Sequence, residues 1–383
     1  MHQTMASRSD GYSSMRLSTL FLAALLGAPL ARAVILPETQ QPLILANAYA
    51  PHRNSSLGQD GDVRVMRTDV SDAPWTLARL AQDPHLARIR EWPFTAKRLN
   101  WDYAYDALWG YKVNVYVIDS GVRGSHAELH GKVADGYLIS RLKTAPEPGT
   151  PWDDVYEGTG HGTGVASIIA GNRIGVARDA RIVPVRIADE ETTGPGDWTD
   201  ADVAEGIELA IKDHTDLATN PNHAAGVINL SWLWMGTKSK AAIKKALDAK
   251  MHVVIAAGNK AEDICKYVSD DFHPIIVGAV NAYDERDETT AFGKCITIFA
   301  PGVDVAIASR NDDSTIVYGE GTSLAAPFVS GALAALISTM GNDSPAVVRA
   351  ELLKSANRRA QLEKLEGSPD LLVQTMYQVA KSQ

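Results

Sequence analysis

The sequence predicts an α/β fold with a mainly parallel central sheet and helices on both faces. Runs of β-branched apolar residues alternate along the chain with stretches whose apolar residues recur at helical spacing. This alternation is typical of a parallel sheet that helices cover on both sides. With 383 residues, of which 45% are hydrophobic and 22% charged, the chain has the composition of a globular protein with one large core.

The predicted strands follow in order from Trp101 onward. They are VNVYVID, RIVPVRI, GVINLS, HVVIAAGN, PIIVGAV and CITIFAPG, and helical spacing occurs between them in DADVAEGIELAIKD and KSKAAIKKALDAK. Ligands and catalytic residues gather at the carboxyl ends of the strands in such sheets. Two polar residues stand at such ends: Asp119 closes VYVID, and Asn259 closes VVIAAGN.

The N-terminus has the features of a secretory signal. Met15 and Arg16 precede the apolar stretch LSTLFLAALLGAPL, which leads to an A-x-A cleavage site at residues 31–33. We predict a signal peptide over residues 1–33, with Met15 as a second candidate start. A misread start and an apolar N-terminal anchor are the alternatives. Residues 34–71 lack clear periodicity and are predicted to be a short pro-segment or linker.

Charge and cysteine content narrow the function classes. The net charge of -9 and the absence of a long basic run argue against a nucleic-acid partner. The chain has two cysteines, Cys265 and Cys295, which an oxidising destination makes a plausible disulfide. Closing that loop would stabilise the fold by about 3 to 4 kcal/mol in the chain-entropy model. Two free buried thiols are the alternative.

The segment GEGTSLAAPFVSGALA contains a candidate nucleophile. Pro327 is tolerated there only near the start of a helix, where several N–H groups lack intrahelical partners and make the helix start electropositive. We therefore predict a helix that begins at Ser323, with the serine hydroxyl in its first turn.

A serine nucleophile needs a base, and the base needs a group that orients it. His161 lies between glycines in GTGHGTGVASIIAG, before a predicted apolar helix, although a lone histidine is more often structural. Asp119 ends an apolar strand, where a carboxylate requires a partner. The order Asp119, His161, Ser323 is the triad order of subtilisin. For His126 and His130 a structural role is favoured.

At these motifs the chain resembles the subtilisin-like serine proteases, or subtilases, and especially the secreted proteinase K branch. VYVIDSGV, GHGTGVASIIAG and GTSLAAPFVSG are similar to the aspartate, histidine and serine motifs of that family. The resemblance implies a subtilisin-like three-layer sandwich in a catalytic domain over residues 72–383. It also implies that Asp119 is the orienter, His161 the general base and Ser323 the nucleophile.

The resemblance extends to the substrate cleft. Asn259 is similar to the family's oxyanion-hole asparagine, with the Ser323 N–H as second donor; a turn residue is the alternative reading of Asn259 alone. Family members bind an extended peptide between two backbone segments, beside a primary specificity pocket. The matching positions are Gly194, Pro195 and Gly196 for one segment, Ser231, Trp232 and Leu233 for the other, and Ala256, Ala257 and Gly258 for the second wall of the pocket.

Several positions depart from the family pattern. Side chains stand in Ser231-Trp232-Leu233-Trp234 where the family leaves the substrate backbone bare, so we expect a narrowed or partly blocked pocket; core packing is the alternative for the tryptophans. Glu320 places a carboxylate near the nucleophile, where its charge would disfavour an oxyanion.

Metal binding and processing are also affected. Thr297 stands where related enzymes carry a calcium-binding aspartate, so structural calcium is expected to lack one ligand there, and no metal site is predicted. The pro-segment is short for the family's inhibitory propeptide, and a mature start is expected near Asp72. Cys265 and Cys295 match a disulfide pattern of some secreted members.

The leading hypothesis is a secreted, extracellular serine endopeptidase, made as a zymogen, that hydrolyses peptide bonds through an acyl-enzyme. It requires no organic cofactor, and its partners would be peptide or protein substrates, with no nucleic acid and no membrane after signal removal. We expect a monomer. The alternative is a catalytically weak or inactive subtilase-like protein that binds a peptide or protein partner. An α/β-hydrolase esterase lacks its G-x-S-x-G motif here, and a metal hydrolase lacks clustered ligands.

Overall fold

The computed structural model describes residues 67–81, 101–140, 154, 160–188, 198–233, 236–268, 273–358, 360 and 362–375. The predicted signal peptide and the predicted pro-segment up to residue 66 lie outside these residues. The same is true of Trp234 and of the predicted substrate-binding residues Gly194, Pro195 and Gly196.

The described strands and helices follow the predicted alternation. The strands are β1 (Arg67–Ala73), β2 (Trp101–Asp106), β3 (Val113–Asp119), β4 (Tyr137–Leu138), β5 (Arg181–Arg186), β6 (Ala225–Leu230), β7 (His252–Ala256), β8 (Ile275–Val280), β9 (Ile298–Pro301), β10 (Val305–Ala308) and β11 (Ile316–Gly319). The helices are α1 (Trp75–Ala81), α2 (His161–Ala170), α3 (Asp200–Asp216), α4 (Thr237–Asp248), α5 (Thr322–Met340) and α6 (Pro345–Ser355). Each strand and helix predicted from the sequence pattern is present.

Seven of these strands form the central sheet, in the order β4-β5-β3-β6-β7-β8-β9. Every neighbouring pair is parallel, which confirms the predicted sheet. The register aligns the carboxyl ends of the middle strands, since Ile118 pairs with Leu230 and Leu230 pairs with Ile255. The residues that follow β3, β6 and β7 therefore emerge side by side at one end of the sheet.

Helices cover the sheet on both faces. Successive strand residues point to opposite faces, so each strand contributes apolar side chains to both helix layers. Val115 and Val117 of β3 belong to an apolar cluster with α2 and α5, whereas Tyr116 and Ile118 belong to a second cluster with α3 and α4. The architecture is a three-layer sandwich, as predicted.

Polar contacts fix the starts of α3 and α4. Thr199 and Asp202 form a capping box at α3, in which the Thr199 hydroxyl accepts a hydrogen bond from Asp202 N and Asp202 Oδ2 accepts one from Thr199 N. Asp200 Oδ2 and Oδ1 accept hydrogen bonds from Lys238 N and Ser239 N in the first turn of α4, at 2.9 and 3.0 Å. The carboxylate thus joins the two helices of this layer.

Two small antiparallel sheets were not predicted. β1 pairs with β2, and β10 pairs with β11. β1 begins at Arg67, within the last residues of the predicted pro-segment or linker, and it spans the expected boundary near Asp72. Cleavage at that boundary would divide a strand that pairs with β2. Processing of the chain stays a prediction.

The two cysteines are joined. Cys265 and Cys295 form a disulfide with a Cα–Cα distance of 5.3 Å across a sequence separation of 30 residues. It links a short 3₁₀ turn, Ile264–Lys266, to the chain just before β9. In the chain-entropy model, a disulfide that closes a loop of this length stabilises the folded protein by about 3 to 4 kcal/mol.

A histidine pair lies at the opposite end of the sheet from the carboxyl ends of the strands. His214 Nδ1, near the end of α3, is 2.7 Å from His223 Nε2, just before β6. One ring nitrogen must donate and the other accept, so this contact requires an unprotonated nitrogen. Burial lowers the pKa of His214, and burial with the nearby His214 lowers the pKa of His223 to about 4, against opposing attraction from Asp213.

We predict that this pair makes the protein less stable in acid. An unfolded histidine binds a proton near pH 6.5, whereas folded His223 does so only near pH 4. The unfolded state therefore holds more protons between these values, and stability should fall as the pH drops from about 6.5 to about 4 and then level off. Thermal unfolding midpoints measured across this range should fall less steeply for His223→Gln than for the wild type.

The exposed His130 provides the control for this prediction. His130→Gln should retain the wild-type pH dependence. Equal slopes for the wild type and His223→Gln would show that the pair does not contribute to acid sensitivity.

Candidate active site

The Asp119 carboxylate is buried at the end of β3. Its side chain is 0% exposed, and Oδ1 lies 2.8 Å from His161 Nδ1. The same oxygen accepts a hydrogen bond from Ser120 N at 2.8 Å. These contacts satisfy Oδ1, whereas Oδ2 is buried without a hydrogen-bond partner among the described residues, and they fix the imidazole with Nδ1 as donor and Nε2 free to act as a base.

His161 reaches Asp119 because the start of α2 lies against the end of β3. Gly160, with a φ of 77°, occupies the left-handed region just before the helix. A Cβ on Gly162 would lie 2.2 Å from Gly121 O and 3.1 Å from Asp119 Cβ. Any side chain there would force α2 away from β3, which explains the glycines that flank the histidine. The His161 side chain is 23% exposed and thus accessible from the surface.

The surroundings of His161 favour its protonated form. Burial lowers the pKa of His161, but the charge and hydrogen bond of Asp119, together with the charge of Asp154, outweigh it, so the pKa is raised above its ordinary value. An imidazole with this environment accepts a proton readily from a neighbouring group.

Asp154 is a functional residue that the sequence analysis missed. Its Oδ1 accepts a hydrogen bond from Ser120 Oγ at 2.8 Å, and its Oδ2 accepts one from Thr163 N at 2.9 Å and one from Thr163 Oγ1 at 2.6 Å. Ser120 Oγ also accepts from Gly162 N at 3.0 Å. Asp154 therefore ties the residue after Asp119 to the helix turn that begins with His161. A second acidic residue shortly before the histidine motif was the available signal.

Ser323 lies in the first turn of α5. The helix begins at Thr322, one position earlier than predicted. Ser323 is partly exposed, although its neighbours Thr322 and Leu324 are buried. Gly321 precedes the helix with a φ of 124°, a conformation that glycine adopts readily and residues with a side chain rarely adopt. A Cβ on Gly321 would lie 2.9 Å from Asn259 Nδ2, so glycine also permits the approach of that side chain.

The amide of Asn259 has a defined orientation. Oδ1 accepts hydrogen bonds from Thr322 N at 2.9 Å and from Thr322 Oγ1 at 2.8 Å. Because a backbone N–H can only donate, the atom that faces it must be the amide oxygen. Nδ2 is therefore the donor that Asn259 presents beside the start of α5. Gly258 N donates to Thr322 Oγ1 at 3.0 Å, which completes the link between β7 and α5.

A buried polar chain fixes α5 to β6. Ser330 Oγ donates to Asn229 Oδ1 at 2.8 Å, and Asn229 Nδ2 donates to Ser231 Oγ at 2.9 Å. Ser231 Oγ in turn donates to Ser323 O at 2.9 Å. The hydroxyl of Ser231, a residue predicted to belong to a substrate-binding backbone segment, is therefore engaged with the backbone of Ser323. Ser231 as a whole is buried, with 4% of its surface exposed.

The tryptophan of the predicted substrate segment does not block the site. Trp232 is 7% exposed and packs against Trp198, with ring centroids 5.0 Å apart. Both rings belong to the apolar cluster of α3 and α4. The expectation that Trp232 narrows the pocket is wrong, because its side chain contributes to the core. Leu233 instead lies partly exposed beside Gly258.

The remaining predicted wall residues lie where β7 ends. Ala256 is the last residue of β7, Ala257 follows it and is buried, and Gly258 has a φ of 97°. They run beside the chain that leaves β6, because β6 and β7 are paired. The two predicted walls thus emerge from neighbouring strands.

Other candidate residues have structural roles or lie at the surface. His126 is fully buried, with Nδ1 accepting from Glu128 N and Nε2 3.1 Å from Thr315 O. Thr297 Oγ1 accepts a hydrogen bond from Ile276 N at 3.1 Å. Glu320 is exposed. Among the residues that the structure describes, no group of three His, Cys, Asp or Glu side chains is placed to hold a metal ion.

The arrangement has the chemistry of an activated nucleophile. One end of the sheet holds a serine in the first turn of a helix, an imidazole oriented by a buried carboxylate, and an amide donor fixed by its own oxygen. A hydroxyl, a base and an oxyanion donor are the groups that acyl transfer requires.

Comparisons with known proteins agree with this chemistry. The model of the subtilase family matches residues 110–369. A subtilisin-like serine protease of Rhodotorula mucilaginosa, Rho m 2.0101, is 33% identical over 312 residues, which cover 80% of this chain and 83% of that protein. An extracellular serine proteinase of Thermus sp. (strain Rt41A) is 30% identical over 98% of this chain and 82% of that protein.

A solved structure shares the fold. The crystal structure of a cold adapted subtilisin-like serine proteinase has a TM-score of 0.63 with 25% sequence identity. The match covers 81% of this chain and 100% of that chain.

We predict that Asp154 raises the pKa of His161 through its charge. Burial raises the pKa of Asp154, so this charge is present only above that raised pKa. Asp154→Asn preserves the shape of the side chain and removes the charge, so the pKa of His161 should fall relative to the wild type. The titration of the imidazole, followed by NMR and assigned with His161→Gln, measures this change.

Asp313→Asn is the matched control, because Asp313 is an exposed carboxylate that accepts hydrogen bonds from Arg123 Nε and Ser125 Oγ. It should leave the His161 titration unchanged. An unaltered His161 pKa in Asp154→Asn would contradict the role assigned to Asp154.

Proposed function

The chain belongs to the subtilase family and is a serine endopeptidase, and from this premise we propose that it is secreted and hydrolyses peptide bonds through an acyl-enzyme formed on Ser323. The observation that carries the proposal is the 2.8 Å hydrogen bond between Asp119 and His161, at the end of the sheet where the first turn of α5 contains Ser323. This is the pairing that a general base requires.

In the proposed reaction, Ser323 Oγ attacks the scissile carbonyl and its proton passes to His161 Nε2. The negative charge of Asp119 stabilises the resulting imidazolium and holds the ring in place. His161 then gives the proton to the leaving amine as the C–N bond breaks, which leaves the acyl group on Ser323. A water molecule then attacks the acyl carbonyl and gives a proton to His161 Nε2. As the bond to Ser323 Oγ breaks, His161 returns the proton to Ser323 and the carboxylic acid is released.

Two donors are assigned to the oxyanion. Asn259 Nδ2 is available because Thr322 holds the amide oxygen, and the Ser323 N–H lies in the first turn of α5, where backbone donors lack helical acceptors. The nearby Glu320 opposes this charge only weakly, because it is exposed and water screens it. The geometry therefore supports an active site more than a cleft that only binds.

The substrate is proposed to bind as an extended peptide along residues 231–233, whose backbone continues from the end of β6. No step is assigned to a metal. At the family's calcium position, Thr297 offers no carboxylate, and its hydroxyl already accepts a hydrogen bond from Ile276 N, so a structural calcium would lack one ligand there.

Secretion is proposed from two observations. The apolar N-terminal stretch ends in a signal-like cleavage site, and the disulfide between Cys265 and Cys295 suits an oxidising compartment. A relative of similar sequence from Thermus is named an extracellular proteinase. We propose a monomer that acts on peptide or protein substrates after loss of the signal.

We predict that a fluorophosphonate probe labels Ser323 and that the protein cleaves a mixed peptide library. Ser323→Ala should lose both the adduct and the cleavage, because the variant lacks the hydroxyl to which the proposal assigns the nucleophilic attack. Mass spectrometry of the labelled peptide and of the library products measures both. Folded, processed protein that gave neither would support the alternative of a protein that binds peptides without cleaving them.

We predict that Asn259→Ala lowers kcat by about 10²- to 10³-fold with little change in KM, because the lost hydrogen bond forms mainly in the transition state. Thr322→Val is the control, since it removes the hydroxyl contact to Asn259 and leaves the amide donor in the chain. If Thr322→Val lowered kcat as much as Asn259→Ala, anchoring of the helix start and not donation would explain the loss.

A further inference from the structure

We propose that the Leu233 side chain fills the pocket that receives the substrate residue before the scissile bond, so that the enzyme cleaves after residues with small side chains. This inference rests on the proposed function and names the substrate class of the same site. Three features support it: the position of the pocket, the two chain segments that line it and the Leu233 side chain that lies in it.

The pocket lies between the chain segments that leave β6 and β7. These strands are parallel neighbours, and Leu230 pairs with Ile255 at their carboxyl ends. The chain continues as residues 231–233 on one side and as residues 257–259 on the other. Two backbone segments therefore leave adjacent strands side by side, and we call the space between them the gap.

The gap opens beside the reacting groups. Ser231, at the start of the first segment, donates a hydrogen bond to Ser323 O at 2.9 Å. Asn259, at the end of the second segment, accepts one from Thr322 N at 2.9 Å. Because both segments are bound to the first turn of α5, the gap lies beside the helix turn that carries Ser323.

Leu233 extends across the gap. A Cβ built on Gly258 would lie 3.5 Å from Leu233 Cβ and 3.6 Å from Leu233 Cδ2, which is ordinary van der Waals contact. Gly258 has no side chain, and its φ of 97° disfavours any other residue. The space that the glycine leaves is thus bordered directly by the leucine side chain.

Leu233 also contacts the apolar residues on both sides of the gap. It packs against the cluster that contains Leu230 and Ile255 and against the cluster that contains Ala257 and Ile264. A side chain that touches both clusters occupies the space between them. It is nevertheless partly exposed, so it forms the surface that an incoming substrate meets.

The expected consequence is selection by size. A glycine, alanine or serine side chain fits above Leu233 without moving it, whereas a phenylalanine must displace the leucine from both apolar clusters. One methylene group in an apolar pocket changes discrimination by about 10- to 200-fold, so an aromatic ring should be rejected at least within that range.

The test uses peptides that differ only in the residue before the scissile bond, Ala in one and Phe in the other. The ratio of kcat/KM for Ala over Phe should exceed 10 in the wild type, and Leu233→Ala should reduce it by at least about 10-fold, mainly through faster cleavage after Phe. Leu353→Ala is the matched control, because Leu353 is also a partly buried leucine packed on the core, in α6. It should keep the wild-type ratio.

Equal cleavage after Ala and Phe by the wild type, or an unchanged ratio in Leu233→Ala, would overturn the proposal. Failure of the proposed function gives a different result: no fluorophosphonate adduct and no cleavage of either peptide. In that case, binding of the same peptides to Ser323→Ala and to Ser323→Ala with Leu233→Ala still decides the point. Tighter binding of the Phe peptide only after removal of Leu233 supports it, and equal binding contradicts it.

Discussion

The site depends on a carboxylate buried at the end of a strand. Asp119 is fully buried, and an ionised group in that position is stable only when hydrogen-bond donors and an opposing charge surround it. Ser120 N and His161 Nδ1 each donate a hydrogen bond to its Oδ1 at 2.8 Å, and His161 adds an opposing charge when it is protonated. The need to bring His161 to this carboxylate explains the glycine at position 162, where a side chain would collide with Gly121 O, and the position of Asp154, which ties the two chain segments together.

The nucleophile is positioned by a second, separate set of contacts. Thr322 bonds to Asn259 after β7, and the carbonyl of Ser323 accepts from Ser231 after β6. Most of α5 is apolar and buried, so these polar contacts at its start, together with the hydrogen bond from Ser330 to Asn229, determine how the helix meets the sheet. The parallel register of β3, β6 and β7 then brings the base and the nucleophile to the same end of the sheet. The sheet therefore joins two independently anchored halves of one site.

The sequence predicted what depends on local pattern. Apolar runs located the strands of the central sheet, and the glycines and proline around His161 and Ser323 located the two helix starts. The sequence could not predict contacts between distant segments. The roles of Asp154 and Thr322 depend on which atoms face them in the fold, and no spacing along the chain specifies that. The strand β1 was missed because its polar sequence, RTDVSDA, lacks an apolar pattern and is ordered by pairing with β2.

The segment after β6 shows why the size of the side chains alone gave a wrong expectation of which residue narrows the cleft. A tryptophan looks like the larger obstacle, yet neighbouring residues of an extended chain point in different directions. Trp232 therefore joins the core against Trp198, while the next residue, Leu233, faces Gly258 at the reacting groups. A large side chain narrows the substrate cleft only when it lies on the side of the chain that faces the substrate. In the proposed site, the smaller side chain of Leu233 thus affects the substrate more than the larger one of Trp232 does. Because the side chains of an extended segment alternate between its two sides, the position of a residue decides which side it faces.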